Sequence, residues 1–452
     1  MRNADRVTEA FNRAARAPGS ALAKIDVGSA LGSLGYDYLA RPMFFGASEL
    51  DRFSADVARA VELIFALPDL LFDGDLGRFR KELRIAPHQD HLLGRAGEAP
   101  PRFGRIDAYH DGETFKVLEF NVGSDVGGQD WVGAVPRALL EVEEFAEFAR
   151  SHELTHTDTF PIVAGLLRQA GARVASGRDP VVGLVGEPGD TGPGPWGPFQ
   201  DLLREVGIET HFCAVTELSV RGGRVYSGDV RLDVVYRLFL ADSLDGDPEA
   251  VKITEALHRA HSDGGVALWT TLESEVFQNK SCLALLADPR VRRRLSTEDA
   301  ALLDRVLPWT RTLSSVDERE LIDECRERRE SLILKPNGLY GGQGITAGWE
   351  VGDEVWRQAL LDGAEIGAVV QERVVPREEP VLDLATGEAE PWEACWGLYY
   401  TPSGEFAGGG CRFLPHGSAR ISAAAPGVPE GGRSIFESYR AGIFRYPDAG
   451  SR

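Results

Sequence analysis

The stretch from Leu332 to Trp349 reads LILKPNGLYGGQGITAGW. An apolar run, Leu332-Ile333-Leu334, ends on Lys335-Pro336, and a turn leads into Tyr340-Gly341-Gly342-Gln343-Gly344 before apolar sequence resumes at Ile345. Such a pattern suits either a hairpin with a glycine-rich tip or a loop that closes over a ligand. Without Cβ atoms, glycines let backbone N–H groups approach a phosphate, and a lysine on the adjoining strand adds a cation. The chain has only six lysines, so one at this junction is not a matter of composition.

The rest of the sequence limits what that loop can serve. With 452 residues, 43% hydrophobic and 26% charged, the chain has material for two to four domains with proper cores. A formal charge of −21 disfavours a nucleic-acid or anionic-membrane surface, and it requires any phosphate site to gather its cations locally. No apolar run approaches the ~18 residues of a membrane span, and the N-terminus lacks a signal-peptide core. Five scattered cysteines (Cys213, Cys282, Cys325, Cys395, Cys411) without a CxxC pair read as reduced thiols, and a cytoplasmic location is expected.

A second polar pattern lies near the front. Phe103–Tyr109 and Thr114–Val122 alternate like strands around His110-Asp111-Gly112-Glu113. Glu119 and Asn121 share one strand face, about 7 Å apart, and Arg105 and Asp107 are likewise paired. Carboxylates and an amide oxygen so placed suit Mg2+, while a solvated strand face is polar in the same way. Setting Asp107 beside Glu119 requires pairing centred near Glu113 with a loop of about five residues, and that longer loop is expected, because a two-residue turn puts Asp107 on the wrong face.

Other segments are read in order. Residues 1–100 are helical in pattern, with Phe53, Val57, Val61 and Ile64 at helical spacing up to Pro68. His152-Glu153-Leu154-Thr155-His156 is a literal HExxH, which on a helix could hold zinc with Glu153 as general base, but no third ligand follows at a familiar distance. From Asp179 the rhythm becomes α/β, giving a small Rossmann-like domain without a clean GxGxxG. Lys280 precedes the apolar helix Ser281–Ala287, where a bound anion or solvent would offset its unfavourable helix-dipole position. Ala368–Pro376 reads as a buried strand leaving into a loop, and Trp392–Tyr400 with Glu405–Phe413, carrying Arg412, as an antiparallel pair. After Ala423, glycine, proline and charge dominate, so a poorly ordered tail is expected.

Taken in order, these elements resemble the ATP-grasp superfamily, in its circularly permuted branch typified by the synthetase domain of glutathionylspermidine synthetase. Arg105-Ile-Asp107 and Glu119-Phe-Asn121 precede the Rossmann-like part, while Lys280, Lys335, the glycine loop and Val370-Gln371-Glu372 follow it. Gln278-Asn279-Lys280 and Leu307-Pro308-Trp309-Thr310 resemble that branch too. The resemblance spans about residues 100–415. It implies an α/β (α+β) fold with a helical region at 1–100 and an ATP-grasp hairpin and helix at 101–175. A Rossmann-like pre-ATP-grasp substrate domain at 176–265, a nucleotide-binding region at 266–422 and a tail at 423–452 complete it.

The resemblance also implies roles. Asp107, Glu119 and Asn121 hold Mg2+. Lys280 and Lys335 meet the phosphates of ATP, and Gly341, Gly342 and Gly344 cover them. Gln371, Glu372 and Val374 form the adenine hinge, with Glu378 or Glu379 at the ribose. Arg105 and Arg412 stabilise the transferred phosphoryl group. The reaction implied is ATP-dependent C–N ligation of a small-molecule or peptide carboxylate to an amine acceptor through an acyl phosphate. No amidase domain and no glutathione- or polyamine-reading motif accompanies these residues. The rivals are a zinc metallopeptidase at residues 152–156 and a non-catalytic nucleotide-binding protein. A Walker-type kinase is disfavoured because the chain contains no Gly-Lys dipeptide.

Overall fold

The alternating segments around Arg105 and Glu119 do form a hairpin, and it sits at the edge of the largest sheet. The computed structural model describes residues 3–22, 25–31, 36–93, 100–313, 319–339, 342–383, 385–419, 421–422 and 437–448. Its seven-stranded sheet runs in the order β1 (Met43–Gly46), β18 (Tyr439–Tyr446), β17 (Phe406–Pro415), β16 (Ala389–Tyr400), β2 (Gly104–His110) and β3 (Phe115–Val122). The seventh strand, β15 (Glu378–Leu382), pairs with the first part of β16. Only β1 and β18 are parallel; the other neighbours are antiparallel.

One expectation is refined here and another corrected. The first hundred residues, read as mostly helical, also contain a buried strand, Met43–Gly46. The stretch after residue 423 is not all tail either, because Tyr439–Tyr446 lies inside the sheet between β1 and β17. Its sequence, YRAGIFRY, follows a glycine- and proline-rich run that masked it.

Alternation gives the large sheet two unlike faces. Ile106, Ala108, Phe115, Val117, Trp396, Cys411 and Phe413 share one core with Phe53, Val57, Val61 and Ile64 of the helix Ala47–Phe65. The Phe53 and Phe115 rings stack at 4.3 Å. The opposite face carries Arg105, Asp107, Glu119, Asn121 and Arg412.

Two smaller layers flank it. A parallel sheet, β10 (Ala267–Trp269), β9 (Val234–Arg237), β4 (Val182–Gly186) and β5 (Thr210–Ala214), is packed by helices including Thr159–Ala175 and Pro248–Ser262. A three-stranded ribbon, β6 (Leu218–Arg221), β7 (Arg224–Ser227) and β8 (Val230–Leu232), lies between β5 and β9 in sequence. An antiparallel sheet, β11 (Thr310–Thr312), β14 (Val369–Glu372), β12 (Leu332–Lys335) and β13 (Thr346–Ala347), has its own core with Trp356 and Leu360 of the helix Asp353–Ile366. The fold is a mixed α/β one. Among the described residues no helix is long and apolar enough to cross a membrane. All five cysteines are buried and free.

Candidate functional site

The site begins with a register correction. The turn between β2 and β3 is Asp111–Thr114, closed by Asp111 N–H to the Thr114 carbonyl at 3.0 Å. The Asp111 carboxylate accepts from the N–H groups of Glu113 and Thr114, each at 2.8 Å. From this turn His110 pairs with Phe115, Tyr109 with Lys116 and Ala108 with Val117. Continued regularly, that register would set Leu118 opposite Asp107 and turn Glu119 into the apolar core. Instead the register shifts between Ala108 and Asp107, and Glu119 pairs with Asp107. The expected five-residue loop is therefore replaced by a four-residue turn plus a β-bulge at Leu118. A bulge adds one residue to one strand and so restores the parity that the turn lost. It also frees the Leu118 carbonyl, which accepts from Lys335 Nζ at 3.1 Å.

Asp107 is gripped from two sides. Arg105 donates through Nε at 2.7 Å and Nη2 at 3.0 Å, and Arg412 of β17 donates through Nη2 at 2.6 Å. Burial alone would raise the Asp107 carboxyl, but Arg105 and then Arg412 outweigh it and hold it well below the usual carboxylate range. Gly397 makes room for this fork, because a Cβ there would come within 3.0 Å of Arg105 Cδ. With both carboxylate oxygens committed to guanidinium groups, Asp107 is poorly suited to the metal-ligand role read from the sequence.

Lys335 ends β12 and is 7% exposed. Besides Leu118, its Nζ donates to Gln371 Oε1 at 2.7 Å, and Gln371 in turn donates to Thr310 Oγ1 at 3.3 Å. Burial lowers the lysine to about 8, with Glu119 pulling the other way. Lys280 stands at the start of the helix Ser281–Leu286, donates to the Leu339 carbonyl at 2.8 Å and lies 3.9 Å from Glu119 Oε2. Among the described residues no arginine lies within ion-pair distance of Glu119, whose charge still acts on Arg105, and Asn121 Nδ2 is buried without a hydrogen bond. Gly342 and Gly344 adopt φ +76° and +67°, which favours glycine. Gly341 lies outside the described residues.

The hinge segment differs in detail from its sequence reading. Gln371 is 1% exposed and serves Lys335 through its side chain. The N–H groups of Glu372 and Arg373 donate to Trp309 and Ser331 carbonyls, both at 2.8 Å. Val374 N–H is the first of this exit segment with no backbone partner among the described residues. Of the two ribose candidates, Glu379 is held by Arg41 at 3.0 Å and Arg377 at 2.6 Å, which leaves Glu378 exposed.

The HExxH reading fails. The helix Glu143–Ser151 ends before it, His152 is the C-cap, and Glu153 has φ +52°. His152 Nδ1 lies 2.9 Å from the Phe148 carbonyl, and its ring stacks on Phe148. Without a continuous helix the two histidines do not share a face. Among the described residues no group of three metal-ligating side chains is assembled.

One cluster escaped the sequence reading. Arg237, 1% exposed at the carboxyl end of β9, donates to the Thr270 carbonyl at 3.0 Å, Ser274 Oγ at 3.0 Å, Glu275 at 3.1 Å and Asp125 at 3.3 Å. Ser124 Oγ donates to the Arg237 carbonyl at 2.7 Å. Burial pushes the Glu275 carboxyl up to about 8 against the pull of Arg237. These residues lie at the carboxyl end of β9 in the parallel sheet, the end at which open α/β sheets bind ligands. The available signal was an arginine inside the apolar run VVYRLF. Residues 123–125 follow directly on Val122, the last residue of β3, so the hairpin leads into this cluster.

No protein-family model matches the sequence, and no curated protein does. Among solved structures, the chain is similar to a glutathione synthetase-like effector from Globodera pallida in its apo form. The two are 13% identical, with a TM-score of 0.58 over 91% of this chain and 90% of that one. At that identity the likeness concerns the fold, and nearly the whole chain shares it.

Proposed function

We propose that this protein is an ATP-dependent carboxylate–amine ligase of the permuted ATP-grasp type, forming an amide or peptide bond and releasing ADP and phosphate. The observation that carries this reading is the convergence of two lysines from separate segments on the strand that bears one carboxylate. Lys280 stands 3.9 Å from Glu119, and Lys335 bonds the carbonyl of its neighbour Leu118. In a chain of net charge −21, two lysines gathered at one glutamate make a local site for phosphate and metal. The glutathione synthetase-like fold supports the reading only by analogy.

In this reading ATP is the substrate that Lys280 and Lys335 hold by its phosphates, with Gly341, Gly342 and Gly344 closing over them. Gln371 keeps Lys335 aimed, and the backbone leading to Val374 meets adenine. Glu119 and Asn121 fit Mg2+: among the described residues no guanidinium lies within ion-pair reach of the glutamate, and the buried Asn121 Nδ2 makes no hydrogen bond there, a position the amide oxygen takes when the amide is turned. When bound, Mg2+ neutralises charge on the phosphates. Asp107 is assigned to positioning Arg105 and Arg412.

A carboxylate is a poor acyl donor because an oxide would have to leave. Its oxygen attacks the γ-phosphorus, the bond to ADP breaks, and the acyl phosphate has a good leaving group. An amine then attacks the carbonyl carbon, loses a proton and expels phosphate. Arg105 and Arg412 steady the transferred group, and the closed loop keeps water out. ADP release across a panel of carboxylates and amines, with mass spectrometry of the products, tests this. Lys335→Ala and Glu119→Ala are expected to abolish ADP formation in a folded protein, and wild-type turnover in either overturns the assignment.

A further inference from the structure

The cations of the site face continue past Arg412. In the register of β17 with β18, Arg412 stands directly opposite Arg440, so both side chains share that face. Like charges so placed repel. Asp107 relieves Arg412 at 2.6 Å, but among the described residues no carboxylate comes within ion-pair reach of Arg440. Arg440 is 6% exposed. Its Nη1 donates to the carbonyl and hydroxyl of Ser438 at 2.6 and 2.7 Å, and its guanidinium lies over the Tyr36 ring at 4.6 Å. Nε and Nη2 have no hydrogen-bond partner among the described residues.

Tyr38, the bridge partner of Arg440, buries a hydroxyl that also has no partner among the described residues. Asp130 is the nearby acid, 8% exposed and outside ion-pair reach of Arg440; burial raises its carboxyl while backbone N–H groups and Arg440 pull the other way. Burial, and then Arg412, lower Arg440 to about 10. A buried cation facing another cation is costly unless an anion completes it, and an orphaned hydroxyl is costly for the same reason.

We infer that Arg440 and Tyr38, beside Arg412, form a subsite for a substrate carboxylate other than the one that is activated. The inference rests on the ligase reading, in which Arg412 already faces the transferred phosphoryl group. The carboxylate belongs either to an α-amino acid acting as the amine or to a second acid group on the carboxylate substrate. Its two oxygens accept from the free guanidinium edge and from the Tyr38 O–H.

The test measures binding by isothermal titration to the full chain with ADP and Mg2+ present, using two matched pairs of probes. Glycine and glycinamide place the acid next to an amine; glutarate and its mono-amide place a second acid far from the first. The expected result is that one pair shows a preference for the acid over the amide of about 10- to 100-fold, the size of a charge-assisted hydrogen bond. That pair identifies which substrate carries the carboxylate. Arg440→Gln is expected to remove the preference, and Tyr38→Phe to cut it about tenfold. Tyr38→Phe keeps the ring and removes only a hydroxyl that has no partner among the described residues, so it remains informative should Arg440→Gln fail to fold. No binding of either acid, equal affinity for acid and amide in both pairs, or a preference unchanged in the folded variants overturns the inference. An intact acid preference without ADP release in any mixture sinks the ligase reading alone.

Discussion

The two faces of the seven-stranded sheet share every backbone hydrogen bond and almost nothing else. On one, Phe45, Phe115 and Trp396 meet ring to ring at 5.0–5.1 Å, and the helix Ala47–Phe65 seals them. On the other, Gly397, Gly410 and Gly442 fall in one cross-strand row with Asp107. A Cβ at Gly410 would come within 2.4 Å of Trp131, and one at Gly442 within 2.9 Å of Pro136. The glycines thus admit bulky covers and the Arg105 fork where alternation alone would leave a flat polar surface. The first face packs one core, while the second packs another around Phe44, Tyr399 and Phe444 and also carries the charged groups, so substitutions on the first face should separate stability from chemistry.

The largest effect is expected for Trp396→Ala, which removes a 1% exposed indole from the apolar face and should cost about 3–5 kcal/mol. Denaturant unfolding measures it, and activity per folded molecule should be retained. Lys335→Ala should do the reverse. ADP release should fall by at least about 10²- to 10³-fold, while the melting temperature holds or rises because a buried cation is gone. If the two variants lose stability alike, the separation of the faces is wrong.

A smaller effect concerns pH. Lys335 is lowered from 10.5 to about 8, so the nucleotide-free protein sheds this proton near pH 8 while the unfolded chain keeps it until about 10.5. Between those values the unfolded state binds more protons, and the lysine's contribution to stability rises with pH. Nucleotide affinity should move the opposite way, weakening as pH climbs through 8 because the phosphates lose a cation. Fluorescence titration of an ATP analogue measures this, and the step should be absent in Lys335→Met. The smallest effect is expected for Glu153→Gln, within about 0.5 kcal/mol of wild type in stability and with unchanged turnover and no stoichiometric zinc.

What could be read in the sequence follows from the range of the signal. Lys335 before its glycines, and the alternation of Arg105–Asp107 and Glu119–Asn121, are local patterns, and the structure brings those residues to one floor. The bulge at Leu118 was not legible, since one inserted residue leaves an alternating sequence looking regular on either side. Strand Tyr439–Tyr446 was hidden behind the glycine- and proline-rich run before it, and its parallel partner, β1, is distant in the chain. Arg237 reads as a misplaced charge in a buried strand until Asp125, Ser274 and Glu275 arrive from two other segments. His152–His156 shows the converse: a perfect local motif fails where the helix it needs has already ended.

The most direct measurement is product-linked ADP release. With the right carboxylate and amine, wild type should release one ADP per amide formed, with neither substrate sufficient alone, and Lys335→Ala should release none. Nucleotide binding with no ADP release in any mixture, or release indifferent to Lys335, would contradict the account.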